Sequence, residues 1–360
     1  MSYERDNIRR MTGYTAGEQP ADAATLKLNT NENPYPPSPR VQSRLNDLSV
    51  DSLRTYPHPT ADPLRDLLGE VHEVLRENIV VTHGGDEALR LAVTTYVEPG
   101  TAFGMADPSY SLYPVLAEIQ DARLVRVPLD DSWDLPRNFA DELNEAGANL
   151  ACIVNPHAPS GSLMDTDRIS QLAQSFNGVL LIDEAYVDFV DPGLRHDAVR
   201  LIKAFDNLLI LRTFSKGYSL AGLRLGYLIG AAPLIEPLVQ KTRDSFNIDT
   251  ISQALGEAAI IDRAYAEKIW ANVRAARRLL RDDLLGLGFA VKSSQSNFLL
   301  AEVPLSSPMT AEQIYLALKT AGILVRYFDT PLLDDKLRIT VGTEDQNRQL
   351  VAALRTILAS

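Results

Sequence analysis

The sequence predicts an α/β fold: a large domain with a mostly parallel sheet covered by helices, plus a smaller α+β domain. Three observations carry that expectation. Between residues 38 and 262, helix-like apolar periods alternate with short apolar runs at 78–82, 124–128, 150–154, 179–182, 208–211 and 225–229, the order that builds parallel sheets covered on both faces. Beyond it, a long helical stretch at 261–285 leads into G-F-A-V-K, S-N-F-L-L-A-E-V, a helix over 311–321, G-I-L-V-R-Y and K-L-R-I-T-V-G, which reads as the smaller domain, 263–360. Ahead of both, residues 1–37 are polar and end in N-E-N-P-Y-P-P-S-P; proline removes donors and biases its predecessor to extended shapes, so this is an arm, expected to pack with the small domain. No repeat and no low-complexity segment interrupts the pattern.

Composition narrows the function classes. The chain has 360 residues, 45% of them hydrophobic, enough for a sizeable core, and no window approaches the roughly 20 apolar residues of a membrane span. The first residues, M-S-Y-E-R-D-N-I-R-R, carry both signs of charge with no apolar run behind them, so neither a secretory signal nor a transit peptide is predicted and a cytoplasmic location is expected. A net charge of −12 argues against a nucleic-acid or anionic-membrane surface; any anionic ligand must be caught locally. The five histidines show no i, i+4 pair and no cysteine neighbours, so no metal is expected. The one cysteine, Cys152, lies in the apolar A-C-I-V and reads as a small buried side chain rather than a reactive thiol.

Ligands of an open parallel sheet gather beyond the carboxyl ends of its strands, so the polar residues that follow apolar runs carry the search. Four places stand out. T-H-G-G-D-E-A-L after N-I-V-V turns a glycine pair into a helix start suited to phosphate, although Asp86 as an ordinary cap explains it equally well. N-P-H-A-P-S-G after A-C-I-V puts Asn155 at a strand end, in a loop that could equally be a plain rigid turn. D-E-A-Y after V-L-L-I puts Asp183 and Glu184 at the end of a central strand, where two carboxylates are hard to justify as packing. T-F-S-K sets Lys216 between two apolar segments, where a lysine needs a partner or a task.

Together these describe a site for a phosphorylated, protonated, carbonyl-bearing cofactor, pyridoxal 5′-phosphate: a lysine amine to bind the carbonyl, a carboxylate to hold a protonated ring nitrogen, and glycine turns, hydroxyls and an arginine for phosphate. The motifs L-N-T-N-E-N-P-Y-P-P, T-Y-P at 55–57, G-G-D-E-A-L, D-P-S-Y-S-L-Y, N-P-H-A-P-S-G, D-E-A-Y, S-K-G-Y-S-L-A-G-L-R-L-G-Y and K-L-R-I-T-V-G stand in register over nearly the whole chain. In them the sequence resembles the fold-type I (aspartate-aminotransferase-like) pyridoxal-phosphate-dependent aminotransferases of class I/II, and within that group the histidinol-phosphate aminotransferases of histidine biosynthesis.

The resemblance implies roles. Lys216 would hold the cofactor covalently and, once freed, carry the proton between the substrate α-carbon and the cofactor. Asp183 would pair with the ring nitrogen, Asn155 and Tyr186 would hydrogen-bond the ring's phenolate oxygen, and Tyr110 would stack on the ring face. Gly85 and Asp86 through their N–H groups, with Thr213, Ser215 and Arg224, would cradle the phosphate; for Arg224 a buried structural ion pair is the other reading. Tyr56 would reach the phosphate of the partner subunit, making a homodimer with shared active sites. Arg338 would clamp an anionic substrate group and Arg326 a substrate phosphate, against the plainer reading of strand-surface arginines, while Tyr14, Asn33 and Asn297 would line the pocket.

The sequence departs from the family pattern at two places. Ala158 stands where a second amide is usual, with His157 beside it, and Asp244 adds negative charge near the expected substrate mouth. The expected reaction is transamination with glutamate and 2-oxoglutarate as one pair and histidinol phosphate as the other amino substrate. An aminotransferase for aromatic amino acids and a threonine-phosphate decarboxylase are the alternatives within the cofactor class. Outside it, a silent cofactor-binding sensor is disfavoured because no helix-turn-helix region is read before residue 37, the charge is acidic and Lys216 and Asp183 are both present, and a dehydrogenase is disfavoured because no G-x-G-x-x-G opens a helix in the first sheet segments.

Overall fold

The computed structural model describes residues 3–20, 22 and 24–359; four residues of the expected arm, 1, 2, 21 and 23, lie outside that set. Its strands are β1 (Leu26–Lys27), β2 (Ile79–Thr82), β3 (Ala102–Asp107), β4 (Arg123–Pro128), β5 (Ala148–Val154), β6 (Val179–Asp183), β7 (Leu208–Thr213), β8 (Gly226–Gly230), β9 (Ala290–Val291), β10 (Phe298–Glu302), β11 (Ile323–Leu324), β12 (Arg326–Tyr327) and β13 (Lys336–Thr340). Seven form the large sheet in the order β2-β8-β7-β6-β5-β3-β4. Neighbours are parallel except β8, which runs antiparallel to both β2 and β7.

Period-two alternation explains why these strands are apolar throughout. Leu180, Ile182, Leu208 and Ile210 enter one core, while Leu181, Leu209, Leu211 and Cys152 enter the core on the opposite face. Both cores are closed by helices, among them Gly84–Tyr96 and Leu112–Gln120 on the second face and Thr166–Ser175 on the first.

Strand β3 is one that the apolar runs did not predict. Its sequence, A-F-G-M-A-D, has no β-branched residue and a glycine at its centre, so it lacks a strand's local signature. Packing makes it a strand: a Cβ on Gly104 would lie 2.7 Å from both Leu143 methyls, so the backbone must approach that helix bare. Gly104→Ala would overpack the site at a cost of about 1–3 kcal/mol.

The helix expected over 261–285 is Arg263–Gly286; a further helix, Thr250–Ile261, precedes it, and the two are separated at Asp262, whose carboxylate accepts a hydrogen bond from Ser38, just beyond the arm. A C-terminal helix, Glu344–Leu358, was not anticipated, although Thr343 and Gln346 form its capping box. The smaller sheet is antiparallel in the order β12-β13-β10-β9, and β1 pairs parallel with β11, so the arm is stitched to residues 298–340. Asn31 N donates to Thr340 Oγ1 at 3.0 Å, and Thr340 N to the Leu28 carbonyl at 3.0 Å. Among the described residues no helix is long and apolar enough to cross a membrane.

Candidate active site

Lys216 lies in the loop between β7 and β8, where the chain reverses direction at the carboxyl edge of the sheet. Asp183 ends β6 next to it, Asn155 follows β5, and the helix starting at Gly84 follows β2. Four segments far apart in sequence meet there because their strands are neighbours.

Asp183 is only 4% exposed. Its Oδ2 accepts a hydrogen bond from Tyr113 Oη at 3.1 Å and its Oδ1 one from Ala185 N at 3.1 Å. No cation pairs with it among the described residues. Burial therefore outweighs both hydrogen bonds and pushes its pKa up to about 6. Lys216 is half-buried, its Nζ donating to the Thr30 carbonyl at 3.0 Å, with no ion-pair partner among the described residues. Burial, helped by the nearby Arg338 charge, brings its pKa down to about 8, so an appreciable fraction is neutral near pH 7. Each group is poised to lose its charge in the free site.

Glu184 faces the opposite way. Its Oε1 lies 2.7 Å from His196 Nε2 and its Oε2 2.7 Å from Arg212, all well buried. Burial pushes the Glu184 carboxyl up, but Arg212 and His196 outweigh it and hold it below the ordinary range. Of the two strand-end carboxylates, then, one is an ion-pair anchor and the other is held by Tyr113 and Ala185 with no cation among the described residues.

The glycine turn and Arg224 come together as the motifs suggested. Gly84 has φ +77, and a Cβ there would lie 2.7 Å from Arg224 Nη2. Arg224 itself takes φ +57 after the short Ala221–Leu223 turn, donates Nη1 to Ala221 O at 3.1 Å and pairs with Asp86 at 3.2 Å. That pair is partly solvent-exposed rather than buried. Thr213 Oγ1 lies 3.0 Å from Ser215 Oγ and accepts from Ser215 N at 3.1 Å, which fixes both hydroxyls at the end of β7. Tyr110 donates to Asp86 Oδ1 at 3.2 Å, its ring edge-on to Tyr113 and Tyr14. First-turn N–H groups with a guanidinium and two hydroxyls suit a phosphate.

The arm and the small sheet supply the far wall. Tyr186 Oη accepts from Asn31 Nδ2 at 3.1 Å, and its ring packs edge-on against Phe298. Asn297 donates to the Asn31 carbonyl at 2.9 Å, leaving its Oδ1 buried without a partner. Asn33 turns to the lysine's own main chain, donating to Lys216 O at 3.0 Å and accepting from Tyr35 N at 3.1 Å. Arg326 and Arg338 are direct cross-strand partners, and both guanidinium groups lie over the Phe328 ring, at 5.1 and 5.4 Å. Neither has a carboxylate partner among the described residues. Arg338 donates Nη2 to Asn29 O at 2.9 Å while its Nε is buried and unpartnered. Like charges directly opposite each other repel, so this pair asks for an anion.

Asn155 is buried at the strand end, but both ends of its amide hold Met164: Met164 N donates to Oδ1 at 2.8 Å, and Nδ2 donates to Met164 O at 3.0 Å. One N–H is left for a ligand. His157 is a brace: Nδ1 lies 2.7 Å from Ser160 Oγ and Nε2 2.9 Å from Pro108 O, and burial brings its pKa down to about 4. Ala158 fills an apolar contact with Val154, Phe298 and Tyr186. Asp244 is exposed. Tyr56 is outside the cluster, 81% exposed and stacked on Phe246 at 4.5 Å.

Sequence reasoning passed over Tyr113, Asn31 and Phe328. Tyr113 closes D-P-S-Y-S-L-Y, and Asn31 belongs to the series Asn29, Asn31, Asn33, whose regular alternation was a usable signal. Alternation alone misleads about the third, because Asn31 takes φ +57 and turns the chain toward Lys216.

Pyridoxal 5′-phosphate fits this chemistry. A buried carboxylate without a cation suits a protonated ring nitrogen, a lysine without a carboxylate suits an aldehyde, and the Gly84–Arg224 cradle suits the phosphate. The comparisons with known proteins agree. The profile of "Aminotransferase class I and II" matches residues 23–354. Histidinol-phosphate aminotransferase 1 of Trichormus variabilis is 42% identical over 358 residues, covering 99% of either chain. The histidinol-phosphate aminotransferase of Chromohalobacter salexigens is 43% identical over 354 residues, 97% of either chain. In fold, the chain superposes on the Sinorhizobium meliloti histidinol-phosphate aminotransferase, solved in complex with pyridoxal-5′-phosphate, with a TM-score of 0.90 over 100% of this chain and 98% of that one at 23% identity. A class I and II aminotransferase profile spanning this much of the chain, with relatives this similar end to end, places it in that family: the chain belongs to the class I and II aminotransferases.

Proposed function

We propose that this aminotransferase moves an amino group between histidinol phosphate and 2-oxoglutarate. The observation that carries the choice of substrate is the Arg326–Arg338 cross-strand pair, which has no carboxylate partner among the described residues. Such a pair suits a phosphate dianion, and a guanidinium fork equally suits the carboxylate of glutamate in the other half-reaction. The names of the full-length relatives support the same reading.

Bound pyridoxal 5′-phosphate supplies an electron sink for the carbon that loses its proton. The chain's residues do the rest. Lys216 would hold the cofactor through its amine and, once freed, would carry the proton between the substrate α-carbon and the cofactor; in the free site its pKa is lowered to about 8 by burial. Asp183 keeps the ring nitrogen protonated, oriented by Tyr113. Tyr186 and the spare N–H of Asn155 serve the phenolate oxygen, and Tyr110 covers a ring face. Gly85, Asp86, Thr213, Ser215 and Arg224 take the phosphate, which would displace Asp86 as the partner of Arg224. Tyr14 and Asn297 border the substrate, and Asn33 holds the lysine loop.

We further read the chain as an arm (1–37), a cofactor-binding domain (38–262) and a small domain (263–360), working as a cytoplasmic homodimer. Support for the dimer is the exposed face carrying Val50, Leu53, Tyr56 and Phe246, large apolar side chains that a monomer would leave in water. The test is a single-turnover titration of cofactor-loaded protein with histidinol phosphate, phenylalanine, tyrosine and glutamate, followed by cofactor absorbance. Rapid conversion by histidinol phosphate and glutamate alone is expected. Preference for an aromatic amino acid would overturn the substrate reading, and carbon dioxide release without an oxo acid would point to decarboxylation.

A further inference from the structure

A second cavity lies behind the 155–164 loop, on the face of β5 that carries Ile153 rather than Cys152. Its volume is about 310 Å³, the size of a one- or two-ring molecule. Neither Lys216, Asp183, Tyr110 nor either substrate-side arginine lines it; Asn155 is the residue it shares with the lysine site. Transamination at the lysine site leaves it without a task.

Its wall is chiefly apolar, with Leu135, Met164 and Trp133 among the lining residues. Trp133 takes φ +69, uncommon for so bulky a residue. The turn is held by Asp130, whose Oδ1 accepts from Ser132 N at 2.8 Å and Asp134 N at 3.0 Å, while Trp133 N donates to Asp130 O at 2.9 Å. The indole is thereby fixed 5.9 Å from the His157 ring. His157 cannot serve a ligand, because Ser160 and Pro108 occupy both of its nitrogens. Arg168 is likewise engaged, donating to Pro136 O at 2.9 Å and Gln171 at 3.3 Å. Asp134, an exposed lining residue, has no ion-pair partner among the described residues.

We propose that this cavity binds a small aromatic molecule carrying a positively charged nitrogen. The ring would fill the apolar volume against Trp133, and the cation would sit between the indole face and the Asp134 carboxylate. The site is separate from the lysine site, so the two can be filled together.

The test uses phenyltrimethylammonium, which has no N–H and so cannot react with the cofactor carbonyl. Titration calorimetry on the cofactor-loaded protein is expected to show saturable binding, weakened about tenfold in Trp133→Ala and severalfold in Asp134→Asn, and retained in Tyr110→Ala. Benzyl alcohol, of similar shape but neutral, is expected to bind more weakly. Asp134 is a surface residue, so Asp134→Asn keeps the test sound if Trp133→Ala fails to fold. No saturation up to about 10 mM, unchanged affinity in both cavity variants, loss of binding in Tyr110→Ala, or equal affinity for benzyl alcohol would overturn the proposal.

Discussion

The two walls of the active site are built on opposite terms. At the carboxyl edge of the large sheet, the ionisable groups are satisfied within the chain: Asp183 by Tyr113 and Ala185, Lys216 by the Thr30 carbonyl, Arg224 by Asp86. Along the seam of arm and small sheet, Asn29 Oδ1, Asn297 Oδ1 and Arg338 Nε are buried without a partner among the described residues, as are the Ser109 and Ser219 hydroxyls on the other side, and two arginines face each other without an acid among those residues. Buried groups without partners cost roughly 1–3 kcal/mol each. A fold keeps that cost where a ligand removes it. On the proposed reading, the charged groups of the cofactor wall are already hydrogen-bonded, whereas the arginine wall would take its counter-charge from a substrate anion.

Substitutions should separate the walls. Lys216→Ala is expected to lower transamination by at least about a thousandfold at unchanged thermal stability, because no neighbour can replace the amine. Turnover kept near wild type would refute the cofactor wall's central assignment. On the other wall, Arg338→Ala should lower kcat/KM for the phosphorylated substrate by about a hundredfold, leaving cofactor affinity unchanged, and Arg326→Ala should do so less. Equal losses of cofactor affinity in both arginine variants would erase the distinction.

A pH titration sharpens the comparison further. Asp183 has its folded pKa raised to about 6, so in cofactor-free protein it contributes stability that is complete below its unfolded value near 4 and lost as pH rises through 6. The protonated ring nitrogen needs the charged carboxylate, so cofactor affinity should fall by up to about tenfold per unit as pH drops below 6, and Asp183→Asn should abolish this dependence. Equilibrium dialysis at pH 5 and 7 measures it; a flat profile would mean that Asp183 does not meet the ring nitrogen. The smallest effect expected is Asp244→Asn, within about twofold in kcat/KM, since this exposed carboxylate is screened by solvent.

The cofactor wall was also the more legible. Its residues sit at the ends of apolar runs, and strand order brings strand ends together, so Asp183, Lys216, Thr213 and Asn155 could be picked out one after another. The substrate wall depends on pairings between segments hundreds of residues apart, such as Asn31 with Thr340, for which no local pattern exists. The same limit hid β3, whose Gly104 is required by Leu143 rather than by any strand propensity.

By itself the sequence determined the class of fold and the cofactor and pointed to Lys216 as the residue proposed to hold it, because period, strand-end position and residue type are local properties that survive in one dimension. Only the tertiary structure decided which of two adjacent carboxylates is ion-paired and which is buried without a cation, that Asn33 braces the lysine loop, that His157 is a neutral brace, and that two arginines share one aromatic ring. Those outcomes depend on burial and on neighbours from other segments, and desolvation acts only once the chain has closed around a group.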